Sequence, residues 1–146
     1  MSRPRYETRK DRAKERAVLR TLAKKWQSEV IAAPELSCYD AVIKRDGAIV
    51  GMVEIKCRDV RSDTYPHIIL SKAKVDKICR IARAGQTTVK PLFVVRFTDK
   101  IMGVELQPEL YQMGKAGRID RGDAADVEIC YEIPIEWFNL ISRVES

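Results

Sequence analysis

The sequence predicts a single α/β (α+β) domain in which one central mixed sheet is flanked by helices. Three observations carry that expectation. Residues 5–30 contain no Pro or Gly and are rich in Ala, Leu, Lys, Arg and Glu, which enter a helix at low cost. Asp46-Gly47 separates two β-rich runs, Tyr39–Ile43 and Ala48–Cys57, and an Asp-Gly pair so placed is the strongest local hairpin signal. Further on, a helix pattern from Ser71 to Ala84 is followed by the strongly apolar run Pro91–Phe97. With 146 residues, 45% of them hydrophobic, the chain can bury one real core, so residues 1–146 are expected to form one domain.

Each element has its own warrant. In the first helix Val18, Leu22 and Trp26, with Leu19 beside them, recur on one face. Glu15 extends that stripe by one turn, while Arg12, Arg16 and Arg20 point elsewhere. Pro34 is expected to close the helical region or the loop after it. In the second hairpin strand, Ile49, Gly51, Val53 and Ile55 face one way, and Val50, Met52, Glu54 and Lys56 the other. Residues 58–66 are polar and end in Tyr65-Pro66, a loop, before the short strand His67–Leu70. Ser71 can cap the next helix, whose apolar side is Val75, Ile78, Cys79 and Ala82, and Gly85 ends it. After the strands Pro91–Phe97 and Ile101–Leu106, residues 107–126 carry three glycines among charges and read as a long exposed loop. A strand at Val127–Ile133 and a short helix at Pro134–Ile141 finish the order.

Composition excludes several classes. No stretch approaches the ~18 apolar residues of a membrane span, and the basic N-terminus lacks the apolar centre of a signal peptide, so an intracellular, cytoplasmic protein is expected. Cys38, Cys57, Cys79 and Cys130 stand far apart and His67 is the lone histidine, so neither a zinc site nor His-based nucleophilic catalysis is expected. The cysteines, Trp26 and Trp137 read as core residues, and His67 as structural. The net charge of +6 is segregated: residues 1–25 hold ten Lys/Arg against three acids, and residues 57–90 eight against three. Residues 101–146 hold only four against nine. Two basic segments flanking an acidic centre attract a phosphate backbone by counterion release, which points to nucleic acid rather than a membrane or an organic cofactor.

The chemistry concentrates in Asp40 and Glu54-Ile55-Lys56. Asp40 begins one hairpin strand and Glu54 stands near the end of its antiparallel neighbour, so both carboxylates can meet at one end of the sheet. Period-two alternation places Glu54 and Lys56 on one face, one step apart. Taken alone, an Glu-x-Lys on a strand can equally be a surface ion pair of little energetic value. Two acids converging with a lysine gain a purpose if the acids collect a hard divalent cation such as Mg²⁺ and the ammonium attends a water or a phosphate.

These residues resemble the PD-(D/E)XK nuclease superfamily, most of all the archaeal-type Holliday-junction resolvases, over roughly residues 12–106. Glu15-Arg16-Ala17-Val18-Leu19-Arg20-Thr21-Leu22 is similar to that group's first-helix signature. Tyr39-Asp40-Ala41-Val42 stands where the group has Pro-Asp and a strand, with Tyr39 in place of the proline. Val53-Glu54-Ile55-Lys56 matches the central strand, His67–Ala82 the strand and helix after it, and Lys90–Val95 the next core strand. The resemblance implies a restriction-endonuclease-like core of order αβββαβ and a Mg²⁺-dependent endonuclease cutting DNA, with Mn²⁺ able to substitute. It implies that Asp40, Glu54 and the Ile55 carbonyl ligate the metal, that Glu15 adds an acid directly or through water, and that Lys56 is the catalytic lysine. Ser71, Lys72 and Lys74 would contact the scissile phosphate, with Arg12 and Arg16 holding others. Branched DNA is the implied substrate and a homodimer the implied assembly, although no dimer surface is legible. The competing readings are a non-catalytic nucleic-acid-binding protein on the same fold, and an RNA-directed or restriction-type nuclease.

Overall fold

The computed structural model describes residues 9–34, 37, 39–85, 88–117 and 127–144. Helix α1 (Arg9–Trp26) buries Val18 and Leu22 completely and leaves Leu19 and Trp26 partly covered, as the apolar stripe requires. It stops earlier than expected. Gln27 adopts a left-handed φ of 48°, and Arg45 donates to the freed Trp26 carbonyl at 3.0 Å. The segment expected to be helical up to residue 30 therefore becomes a strand, β1 (Glu29–Ala32), paired antiparallel with β2 (Ala41–Arg45).

The hairpin of β2 and β3 (Ala48–Cys57) forms, with the expected alternation from Gly51 onward. A register shift at Ile43/Lys44 breaks that alternation before it, and Val50 packs into the α1-side core, on the opposite side from Met52. Asp46 at φ 53° and Gly47 at φ 80° give two consecutive left-handed residues, the turn whose twist matches the flanking strands. From β3 the chain crosses over through residues 58–66, β4 (His67–Ser71) and α2 (Lys72–Arg83). It returns as β5 (Lys90–Arg96), parallel to β3, with Glu54 opposite Phe93 and Lys56 opposite Val95. Ser71 caps α2, and Val75, Ile78, Cys79 and Ala82 are its buried face. β6 (Lys100–Glu105) follows, then a 3-10 turn at Pro108–Leu110, β7 (Gln112–Gly117), β8 (Val127–Pro134), a 3-10 turn at Ile135–Trp137, and β9 (Asn139–Arg143).

Three expectations are corrected here. The described residues form two sheets, a six-stranded mixed one of order β1-β2-β3-β5-β6-β9 and a three-stranded one of order β4-β8-β7, where a single mixed sheet was expected. β4 leaves the main sheet because its partner is β8, some sixty residues later, with Ser71 opposite Cys130. The expected loop at 107–126 contains β7, which pairs with β8; the part from 118 to 126 lies outside the described residues. The expected helix at Pro134–Ile141 is one 3-10 turn followed by β9, whose Ile141 side chain fills the space over Gly103.

Two cores result, one on each face of the large sheet. On one face α1 packs Val18 and Leu22 against Ile43, Val53, Ile55, Val94 and Ile101. On the other, α2 and the small sheet close over Phe93, Val95 and Phe97, where Phe93 and Phe138 meet edge to face at 5.8 Å. Cys79 and Cys130 are buried and Cys57 half-buried, while Cys38 lies outside the described residues. Trp137, expected in the core, is 42% exposed and leans on Tyr111 at the surface. Among the described residues no helix is long and apolar enough to cross a membrane.

Candidate active site

The site forms where β2, β3 and α2 meet. Asp40 directly precedes β2, and its backbone N–H donates to the Val53 carbonyl at 2.8 Å, continuing the ladder with β3. Its carboxylate then turns along β3: the Ile55 N–H donates to Asp40 Oδ2 at 2.6 Å. That charge-assisted bond holds the Asp40 carboxylate against the Glu54 segment. Glu54 is 8% exposed, one of two buried polar residues among those described, and faces α2. Burial and then the charge of Asp40 push its carboxyl up to about 7, against the opposing pull of Lys74. Lys74 Nζ lies 3.4 Å from Glu54 Oε1, brought there from the first turn of α2.

Lys56 follows two residues on, half-buried, with its ammonium donating to the Ile69 carbonyl at 3.2 Å. Burial, then the positive charges of Arg58 and Lys74, lower it to about 8. A cleft of about 330 Å³ opens above these groups, lined by Glu54, Ile55, Lys56, Ser71, Lys74 and Glu128, among others. The arrangement can do three things: gather positive charge between two carboxylates, hold a lysine beside them in partly dry surroundings, and present α2's first turn to an anion.

The expected residues are not all used alike. Asp40, Glu54, Ile55, Lys56, Ser71 and Lys74 come together. Lys72 turns away to an ion pair with Asp76, which also accepts from the Tyr131 hydroxyl at 2.7 Å. Arg12 and Arg16 are exposed on α1. Glu15 is half-buried on α1, and among the described residues no three His, Cys, Asp or Glu side chains stand close enough to share an ion. Glu128, at the cleft's rim, escaped the sequence reading because only the β4–β8 pairing brings it there.

The model of the PDDEXK-type phage endonuclease family matches residues 1–141. The chain belongs to that family. Its fold is shared with Hjc, a Holliday junction resolvase from the archaeal hyperthermophile Archaeoglobus fulgidus, at a TM-score of 0.57 and 14% identity over 93% of this chain and 91% of that one. A comparison with curated proteins finds no match. Asp40, Glu54 and Lys56, the residues expected to carry the motif, stand together beside this cleft, with Tyr39 directly before Asp40. Tyr39 is half-buried and packs against the core closed by α2 and the small sheet.

Proposed function

We propose that this endonuclease hydrolyses DNA phosphodiester bonds with a divalent cation, Mg²⁺ or in its place Mn²⁺, held by Asp40 and Glu54. The observation that carries this reading is the 2.6 Å bond from the Ile55 N–H to Asp40 Oδ2, which fixes one carboxylate beside a second, buried one. The donor set suits such an ion. Mg²⁺ prefers oxygen ligands, keeps several waters and is commonly bound through one or two carboxylates, so a pair of acids suffices. The Ile55 carbonyl offers a further oxygen, and Glu15 acts from α1 through water. A cation so held supplies Lewis-acid polarisation of the phosphate and of the attacking water.

The side chains do the rest. Lys56, with its ammonium drawn down to about 8, orients the nucleophilic water and stabilises charge developing on the phosphate. Ser71 and Lys74 hold phosphate oxygens at the start of α2, and Lys74 exchanges its bond to Glu54 for one to the substrate. Arg12 and Arg16 add contacts to the backbone farther along, and Lys72 contributes to the field from its pair with Asp76. Branched DNA is the preferred substrate, as the fold shared with a Holliday junction resolvase suggests, and a homodimer the working assembly.

The test is a panel of labelled linear, flapped and four-way DNA incubated with Mg²⁺, Mn²⁺ or EDTA, using wild type and Lys56→Ala. Metal-dependent products from wild type alone, with both proteins retarding DNA, are expected. Retardation without products would favour a non-catalytic binding protein, and equal cleavage by Lys56→Ala would remove the role given to that lysine.

A further inference from the structure

Next to the cleft lies a second cavity of about 490 Å³, lined among others by Arg58, Val60, Tyr65, His67, Ile68 and Ile69. The two spaces share a wall, because Lys56 Nζ donates to the carbonyl of Ile69 at 3.2 Å. Arg58 follows Lys56 by two residues, about 7 Å along an extended chain. The Tyr65 side chain stands at the mouth and is 59% exposed. An aromatic ring left this open on a loop is ordinarily mobile, but this loop is pinned along its length. Arg58 N–H donates to Arg96 O at 2.8 Å and Thr98 N–H to Val60 O at 3.0 Å. Ser62, itself buried, bonds both Asp99 oxygens at 2.8 Å, and Ile135 N–H donates to Pro66 O at 2.9 Å.

We infer that this cavity receives an unpaired nucleobase of the strand being cut, stacked on Tyr65 beside Arg58. The inference deepens the proposed nuclease reading and rests on it. An exposed ring on a loop whose backbone is pinned, with a guanidinium lining the same cavity, offers what a base requires: a flat apolar face and a cation for its π system or polar edge. Asp59, the acid on the same wall, is paired with Lys14 at 3.0 Å, so its charge is partly answered. A base held in a Watson–Crick pair must give up its pairing and stacking to enter, a cost of a few kcal/mol, whereas one at a flap or branch is already free. The cavity therefore selects DNA unpaired next to the scissile phosphate, and it does so by base stacking rather than by reading sequence.

The experiment uses a duplex bearing a single-stranded flap whose first unpaired base is 2-aminopurine, mixed with the full chain in EDTA so that no cleavage occurs. Wild type and Tyr65→Phe should quench the fluorescence and Tyr65→Ala should not. The preference for flapped over fully paired DNA should fall about tenfold in Tyr65→Ala, equivalent to ~1.4 kcal/mol and within the range for one stacked base. Unchanged quenching and unchanged preference in Tyr65→Ala would overturn the inference. Absence of cleavage by wild type in Mg²⁺ would instead overturn the nuclease reading, and the fluorescence signal does not depend on it.

Discussion

Replacing Glu54 by Gln tests the electrostatics of the site most directly. Glu54 is 8% exposed and stands beside Asp40, and its carboxyl is raised from 4.5 to about 7. A rise of that size corresponds to about 3 kcal/mol of penalty on the charged form. The sign follows from the raised folded-state value. The stability associated with the protonated acid is fully present below pH 4.5 and is lost as pH rises through 7. Glutamine has the same shape and cannot ionise, but its amide must still be accommodated. Glu54→Gln should therefore unfold at higher temperature than wild type at pH 8 in EDTA, by about 1–3 kcal/mol or ~3–10 °C in Tm. At pH 4 the two proteins should melt together. Adding Mg²⁺ at pH 8 should restore the wild type and leave Glu54→Gln unmoved, since an ion at a hundred times its Kd contributes about 2.7 kcal/mol. The assay is calorimetric or fluorescence melting across that pH range with and without Mg²⁺. A difference between the proteins that is the same at both pH values would refute the reasoning, because packing and not charge would then explain it.

Other outcomes follow from the same structure. Lys74→Ala should weaken DNA binding and make the dependence of log affinity on log salt shallower by about 1, measured by anisotropy over a salt series; an unchanged slope would take Lys74 off the phosphate. Phe93→Ala, at a fully buried position against Phe138, should cost about 3–5 kcal/mol by urea denaturation. Gly47→Ala should cost about 1 kcal/mol by the same measurement, because Gly47 sits at φ 80° with open space around it, so only the backbone opposes the new methyl.

What the sequence disclosed divides by distance along the chain. Local patterns were legible: the Asp46-Gly47 turn set the hairpin that carries Asp40 and Glu54, and Ser71 with the Val75–Ala82 stripe set α2. The acid pair and Lys56 were legible for the same reason, since one hairpin and one alternation position all three. The end of α1 was hidden because Gln27 takes a left-handed conformation more usual for Gly or Asn. The second sheet was hidden because β4 has a short apolar run that fits any sheet, and its partner is remote. Glu128 was hidden with it. β9 was misread because Pro134 opens a helical turn that lasts only to Trp137, after which Asn139, Leu140, Ser142 and Arg143 pair with β6. The loop carrying Tyr65 looked merely polar, and its fixity depends on Asp99 and Ile135, which arrive from two later segments.

The β4–β8 pairing has a consequence for synthesis in the cell. β4 forms one wall of the proposed cleft, yet its hydrogen-bonding partner is residues 127–134, and β9 completes the edge of the large sheet from residues 139–143. While the chain is still emerging from the ribosome, α1 and the Asp-Gly hairpin can form, but the wall behind Lys56 has nothing to rest on. The two acids are therefore synthesised long before the strand that backs the proposed cleft, and that groove can close only after translation has passed the eighth strand.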